Sequence, residues 1–332
     1  MVDVRWIDRR IKRIVEDMAG ISPEAFQCCL NQNYLIGNPG PGTDLFINPI
    51  QVVYPLGGLP ASCTGTQAGG TATDFAGNDV GDFCITNAFD AAGNQVAGAL
   101  GSDGKPDGFV QPVRIYKAIE FEIAKAFSRG WQMRTNYRWS QLSGNYEGAF
   151  RNDNGQSDPN ISSLFDFVPG NFGLLGNQFG VGWLNTDRRH IINSFVSYSF
   201  TGGFLRNLTL GTGVRIETGL PINDLRAHPA YQNAGEIPVG GRGSLGRTPT
   251  TGQADLHGEY LVKLNEKHAL HFGADLFNIT NQKDLLRFDQ QEDRSFLVKN
   301  ADFLKPTQGT GLNPQLGFQR PFYARLFAKW TF

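Results

Sequence analysis

The last twelve residues of the chain alternate between two kinds of side chain and end on an aromatic residue. One side carries Phe322, Ala324, Leu326, Ala328, Trp330 and Phe332, and the other carries Tyr323, Arg325, Phe327, Lys329 and Thr331. A period of two places successive side chains on opposite faces of a β-strand. A tilted transmembrane strand of about ten residues needs this pattern, but a half-buried strand of a soluble sandwich shows it too. Whether the pattern recurs along the chain distinguishes the two.

The alternation does recur, and the sequence predicts eight strands. They lie near residues 2–15, 113–128, 131–139, 188–200, 206–218, 254–264, 270–276 and 321–332. Short turns and long connections alternate strictly, so every short turn falls at one end of the sheet and every long loop at the other. Outer-membrane barrels sort their connections in this way, whereas a Greek-key sandwich has no reason to do so. The predicted fold class is all-β, an antiparallel transmembrane β-barrel segment of about eight strands with long extracellular loops.

The phase of each strand predicts which side chains face lipid and which face a lumen. The apolar rows include Phe121, Trp131, Leu210 and Phe272. The polar rows include Arg134, Arg138, Arg215, Glu217, Asp255 and Arg325. Rows with this much charge suit a wide polar interior better than the packed core of a closed eight-stranded barrel.

The composition excludes several classes of protein. No run of eighteen apolar residues occurs, so a protein that spans the membrane with helices is excluded. The hydrophobic content of 40% and the mean hydropathy of −0.29 are compatible with a barrel, whose apolar side chains occupy alternate positions. The net charge of −1 and the absence of a basic stripe give no indication of nucleic-acid binding.

The first ten residues do not predict a signal peptide, because they contain neither an apolar segment nor a small-residue cleavage site. An outer-membrane protein must be exported. The expectation is therefore that the chain is the C-terminal piece of a longer protein, unless the barrel prediction is wrong.

All four cysteines lie in residues 19–111, a stretch rich in Gly, Pro, Asn and Asp. An even number of cysteines within one loop suits disulfides in an oxidising compartment, and Cys63 with Cys84 is the more plausible pair. Cys28 and Cys29 are adjacent and rarely bridge each other, and free thiols remain the alternative. A zinc site is disfavoured, because the loop has no Cys-x-x-Cys spacing and no His.

Several motifs resemble one family. Residues 274–281, Ala-Asp-Leu-Phe-Asn-Ile-Thr-Asn, are similar to the penultimate strand of TonB-dependent outer-membrane receptors, and the strand ending at Phe332 is similar to their last strand. Residues 114–120, 145–148 with 158–160, and 227–231 with 247–249 together resemble the Oar-like receptors, which often carry a carboxypeptidase regulatory-like domain. The resemblance runs over residues 1–332, although residues 19–111 contribute little to it.

The resemblance implies that residues 1–332 form the C-terminal part of a barrel that usually has twenty-two strands, with residues 19–111 as a long extracellular loop. It implies a location in the bacterial outer membrane, and it implies that Phe332, Trp330 and Leu326 form a C-terminal assembly signal. The implied partners are outer-membrane lipid, the barrel-assembly machinery and an unknown extracellular ligand. An energy-coupling inner-membrane complex would act only through N-terminal regions, including a plug, that this sequence lacks.

Four groups of residues carry side chains or glycines that resemble parts of chemical sites. Residues 152–158 are rich in oxygen ligands, but they lack the spacing and the bidentate Glu of an EF-hand and predict a solvated turn. The Gly-rich residues 240–247 lack the Lys-Ser/Thr ending of a phosphate loop and predict a flexible loop. His257 with Glu259, and His268 with His271, predict polar lumen lining rather than a metal or acid–base site. No cofactor site and no enzyme are expected.

The first functional hypothesis is a barrel fragment of an outer-membrane receptor for TonB-dependent ligand uptake. Its loops 141–186, 219–250 and 280–320 would capture ligand, and a plug would then rearrange. The alternative is a free-standing small outer-membrane barrel acting as an adhesin or structural protein, since eight is an allowed strand number. A secreted β-rich enzyme is a third hypothesis.

Overall fold

The computed structural model describes residues 1–17, 36–39, 111–148, 180–227, 235, 237–307 and 317–332, together with Arg151, Asp153, Phe165 and the backbone of residues 18–19, 34–35, 50–54, 67–73 and 79–86. Over this part of the chain, no helix is long and apolar enough to cross a membrane. The predicted disulfide falls outside the described residues, since Cys63 is not among them and only the backbone of Cys84 is placed.

The described residues form eighteen β-strands. They are β1 (Val2–Ile11), β2 (Glu16–Ala19), β3 (Tyr34–Gly37), β4 (Ile50–Tyr54), β5 (Gln67–Thr73), β6 (Asp79–Thr86), β7 (Arg114–Ser128), β8 (Trp131–Gly144), β9 (Gly182–Trp183), β10 (His190–Ser199), β11 (Leu208–Glu217), β12 (Leu225–Arg226), β13 (Ile237–Pro238), β14 (Thr251–Lys263), β15 (Ala269–Phe277), β16 (Asp293–Ser295), β17 (Val298–Lys299) and β18 (Tyr323–Thr331).

Eight long strands form one antiparallel sheet in the order β1-β7-β8-β10-β11-β14-β15-β18, and β9 adds to the end of β8. Each of the eight pairs with the next long strand along the chain, so the sheet is an up-and-down meander of the predicted strands. The sheet does not close among the described residues, because β1 pairs only with β7 and β18 pairs only with β15.

The pairing register gathers the apolar rows of all eight strands on one side, here called the apolar face. Directly opposed residues of an antiparallel pair share a face, and Trp6 lies opposite Ile119, which lies opposite Trp139. Farther along the sheet, Tyr260 lies opposite Phe272. The predicted residues Phe121, Trp131, Leu210 and Phe272 all belong to this face. A slip of one residue in any pairing would turn that strand over, so the agreement across eight strands fixes the phase.

Large side chains on the apolar face have no covering layer within the described structure. The side of β18 is the most open, with Leu326 80% and Trp330 59% exposed, and at the other edge Trp6 is 63% exposed. Soluble monomers rarely present contiguous apolar surface on this scale. The face therefore requires an apolar environment.

The opposite side, here called the polar face, carries the charged side chains of the strands. Arg134 forms an ion pair of 2.9 Å with Glu122 across β7 and β8, and Asn193 donates to Asn136 across β10 and β8 at 3.0 Å. Gly213 of β11 leaves room on this face for the Phe195 ring, which a Cβ at that position would approach to 3.3 Å. Charged pairs alternate with small residues, as expected for the wall of a polar interior.

The connections are sorted as the sequence predicted. Arg129 and Gly130 join β7 to β8 with positive φ values of 53° and 84°, as a tight hairpin turn requires. Short turns also join β10 to β11 and β14 to β15. The long connections, residues 12–113, 145–189, 218–250 and 278–322, all leave from the other end of the sheet.

Candidate functional site

Among the described residues, the largest fully buried side chains lie in the long connections and not in the strands of the main sheet. Phe165, Leu184, Leu225 and Ile237 are each 0% exposed. We call the described residues of these connections, 145–148, 151, 153, 165, 180–189, 218–227, 235, 237–250 and 278–307, the loop cap. Its compactness means that the loops at this end form a defined surface.

Arg242 joins two of the connections, because it lies in residues 218–250 and its three partners lie in residues 145–189. Its Nε donates to Glu147 Oε1 at 2.8 Å, its Nη1 to the Gly180 carbonyl at 2.8 Å and its Nη2 to the Asn145 carbonyl at 2.9 Å. The side chains of Arg242 and Glu147 are 1% and 3% exposed. The sequence-based prediction of a flexible loop at residues 240–247 is therefore wrong, because a buried guanidinium anchors this segment.

Asp153 is also buried, at 3% exposure. It accepts from Arg151 Nε and from Asn223 Nδ2, each at 2.8 Å, and so ties two connections together. Burial alone would raise the pKa of Asp153, but the charge of Arg151 and the hydrogen bonds from Arg151 and Asn223 hold it below its usual value. The prediction of a solvated turn fails at this residue, and of residues 152–158 only Asp153 is described.

Asp187 fixes the cap to the end of β8. Its Oδ1 accepts from the Leu142 backbone nitrogen at 2.6 Å, and its Oδ2 accepts from Arg189 Nε at 3.0 Å and from Arg247. The side chain of Asp187 is 0% exposed. No local motif marked Asp187 in the sequence, because its partners lie up to sixty residues away.

A second cluster of charges joins β12 to the strands β16 and β17. Arg226 reaches Asp224 Oδ2 at 3.3 Å and Glu292 Oε2 at 2.7 Å, and Lys299 reaches both Glu292 and Asp293 at 2.9 Å. Burial, together with a hydrogen-bonding interaction with Glu292, raises the pKa of Asp224 to about 6. Burial opposes ionisation of Glu292 as well, but its hydrogen bonds with Asp224 and Lys299 leave the Glu292 pKa below 4.5.

This cluster predicts a pH-dependent loop contact. The folded cap holds the Asp224 proton more tightly than the unfolded chain does, because the Asp224 pKa rises from 3.8 to about 6 on folding. The stability that Asp224 contributes is therefore present below pH 3.8 and is lost as pH rises through about 6. Glu292, whose pKa is lowered from 4.5, contributes in the opposite sense only below about pH 4.5. Between about pH 4.5 and 6, hydrogen-exchange protection should therefore fall, after correction for intrinsic rates, at the Leu225 amide, which donates to the Gln290 carbonyl, and at the Glu292 amide, which donates to the Leu225 carbonyl.

Asp224→Asn should abolish this pH dependence. Asp302→Asn is the matched control, because the Asp302 carboxylate lies in the connection that contains Glu292 and is 57% exposed. Identical pH profiles for the wild type and Asp224→Asn would contradict the assignment.

The histidines of the polar face pair across strands. His257 Nδ1 lies 2.6 Å from Asp275 Oδ1, whose Oδ2 accepts from Arg325 Nη2 at 2.6 Å, and His271 Nδ1 lies 2.6 Å from Glu259 Oε1. His257 therefore pairs with Asp275 and not with Glu259. Within the described residues, no three metal-binding side chains come together.

The two residues His268 and His271, which the sequence suggested as a group, lie on opposite faces of the sheet. His268 precedes β15 on the apolar side, where its ring centroid lies 5.5 Å from that of Trp330. In the C-terminal signal, Leu326 and Trp330 lie on the apolar face of β18, and Phe332 follows that strand at 90% exposure. Its role as an assembly signal remains a prediction.

An antiparallel meander with one apolar face, one polar face, short turns at one end and long loops at the other has the architecture of an outer-membrane barrel wall. No protein-family model matches the chain. Over 182 residues the chain is 35% identical to the TonB-dependent transporter Oar of Myxococcus xanthus, and this alignment covers 55% of the chain. The chain spans 16% of the length of that relative.

Among solved structures, FpvA of P. aeruginosa bound to heterologous pyoverdines aligns over 68% of this chain and 20% of its own, with a TM-score of 0.36 and 13% identity. The ferric-catecholate import receptor Fiu of E. coli K12 aligns over 68% of this chain and 22% of its own, with a TM-score of 0.37 and 11% identity. The sequence relationship to Oar confirms the predicted resemblance to TonB-dependent receptors and the predicted location in the bacterial outer membrane.

Proposed function

We propose that this chain forms part of the barrel wall and the extracellular loops of an outer-membrane receptor for TonB-dependent ligand uptake, and that it is not an enzyme. The observation that carries the proposal is the apolar face, which stays in register across eight strands and is left uncovered. Lipid is the environment that such a surface fits, and the polar face then lines the lumen.

The open edges of the sheet support a place within a larger barrel. β1 and β18 are the outer strands, and each leaves one row of backbone groups without a partner in the described structure. A hydrocarbon environment does not tolerate such rows, so further strands must pair with both edges. We therefore propose that residues 1–332 are one section of a wider wall, with residues 19–111 as an extracellular loop. The same edges argue against a free-standing eight-stranded barrel.

The loop cap is the part of this section that would meet an extracellular ligand. Buried contacts such as Arg242–Glu147 and Asn223–Asp153 join the described residues of connections 145–189 and 218–250. The Arg226–Glu292 ion pair and the hydrogen bond from the Leu225 amide to the Gln290 carbonyl join 218–250 to 278–322, so ligand-contacting side chains would keep fixed positions. Energy coupling would act through other parts of the receptor, and insertion would depend on the barrel-assembly machinery. The relationship to the transporter Oar supports this division of roles.

Membrane topology tests the proposal directly. In a background with the four natural cysteines replaced by serine, we expect Val298→Cys in the loop cap to react with a membrane-impermeant maleimide on intact cells. The matched variant is Phe204→Cys in the short turn between β10 and β11, whose side chain is 92% exposed. It should react only after the outer membrane is permeabilised. Labelling of both, or of neither, on intact cells would contradict the proposed orientation.

A pair of neighbouring charge substitutions tests which face meets lipid. Val196 lies on the apolar face of β10 between Met133 and Thr212, and Ser197 lies on the polar face between Gln132 and Gly211. In the folded barrel, Val196→Arg should cost about 2–4 kcal/mol and Ser197→Arg much less, because only the first places a cation in lipid. Denaturant titration, followed through the heat-modifiable band on gels, measures the loss of unfolding free energy for each variant. Equal losses would show that the faces are assigned wrongly.

A further inference from the structure

One cleft on the polar face collects arginine side chains directly beneath the loop cap. It has a volume of about 340 Å³ and is lined by Arg9 of β1, Arg114 of β7, Arg138 of β8 and Arg188, which precedes β10. A single carboxylate, that of Glu120, faces these four guanidinium groups in the cleft. We call this the arginine cleft.

Among the residues that the structure describes, three of the four arginines have no ion-pair partner. In the described part of the chain, neither Arg9, Arg114 nor Arg138 lies within 4.0 Å of a carboxylate oxygen, whereas Arg188 bonds to the Thr218 carbonyl at 2.7 Å and approaches Glu217 at 3.4 Å. The Nε atoms of Arg114 and Arg138 are moreover buried without an acceptor. In the loop cap, by contrast, the buried Arg242 is bonded to a carboxylate and to backbone carbonyls.

A half-buried guanidinium with a buried Nε that lacks an acceptor is costly, and it cannot lose its charge because arginine stays protonated in proteins. Burial, together with the nearby charges of Arg215, Arg287 and Arg138, lowers the pKa of Arg188, while Glu217 partly opposes that effect. The positive charges therefore repel one another. A ligand with several negative oxygens relieves this repulsion and supplies the missing acceptors, and guanidinium groups bind carboxylates and phosphates in a bidentate manner.

We infer that the arginine cleft binds a small polyanion that carries at least two carboxylate or phosphate groups, a ligand class for the receptor proposed above, on which this inference rests. Its volume lies at the lower end of the range for small-molecule sites, about 300–1,000 Å³. The hydroxyl groups of Tyr116 and Thr186 also line it and can donate to the same anion.

The test uses the complete gene product purified from outer membranes in detergent, with citrate and inorganic phosphate as probes in isothermal titration calorimetry. We expect saturable binding of at least one probe, and binding that weakens as ionic strength rises. Arg138→Gln and Arg114→Gln should each weaken binding by about tenfold or more, because each removes one charge-assisted hydrogen-bonding group. Arg138→Lys should weaken it less, because it retains the charge but not the bidentate geometry.

Arg134→Gln is the matched control, because Arg134 lies four positions from Arg138 on the same face and is already paired with Glu122. The Arg134→Gln variant should bind the probe with the same affinity as the wild type. Absence of binding at millimolar probe concentrations, or an equal loss for Arg134→Gln and Arg138→Gln, would overturn the inference. Maleimide labelling of the same preparations separates the two proposals: lost binding with correct topology refutes only the anion site, and incorrect topology refutes the receptor proposal.

Discussion

Replacing Arg242 by alanine is expected to destabilise the loop cap by about 3–5 kcal/mol, the range found when one partner of a buried ion pair is removed. Glu147 would keep a buried negative charge without its cation, and the Gly180 and Asn145 carbonyls would each lose a donor. Hydrogen exchange measures the loss at the amides of Leu184, which donates to the Leu142 carbonyl of β8, and of Gly243, which donates to Asn223 Oδ1 within the cap.

Two comparisons make this prediction specific. Arg134→Ala should cost only about 0–1 kcal/mol, because the Arg134 side chain is 65% exposed in its pair with Glu122. Replacing both Arg242 and Glu147 by apolar residues of similar size should cost far less than Arg242→Ala, since no charge is left buried. Equal effects of Arg242→Ala and Arg134→Ala would contradict the anchoring role.

The second large effect concerns residues 1–332 produced on their own. We expect them not to give a stable monomeric barrel in detergent, because β1 and β18 each leave one row of backbone groups unpaired. Each unsatisfied group in hydrocarbon costs several kcal/mol, and in water an open strand edge promotes aggregation. Electrophoresis without heating is the measurement. A compact, heat-modifiable and protease-resistant monomer would contradict the proposal and favour the small barrel.

The eight long strands were predictable from the sequence, because each has its own alternation of apolar and polar residues. In β8, Trp131 to Trp139 alternate without interruption, and a half-exposed strand with two chemically distinct faces needs nothing else to fix its phase. The short turns were equally local, as Arg129 and Gly130 show.

The loop cap was not predictable in the same way. Arg242 and Glu147 are ninety-five residues apart, and neither lies in a periodic segment. Their pairing depends on how two long connections fold against each other, which a single sequence does not encode locally. The histidine pairs show the same difference on a smaller scale. Proximity along the chain suggested Glu259 for His257, but the β14–β15 register places Asp275 opposite it.

The strict sorting of connections sets an order for assembly. The pairs β7–β8, β10–β11 and β14–β15 are closed by short turns, and hairpins of this kind form in about 1–10 μs. The pairings β1–β7, β8–β10, β11–β14 and β15–β18 must each wait for a long connection to close, at an entropic cost that grows with its length. We therefore expect the three hairpins to form before the sheet does, so that the wall grows by the addition of two-stranded units.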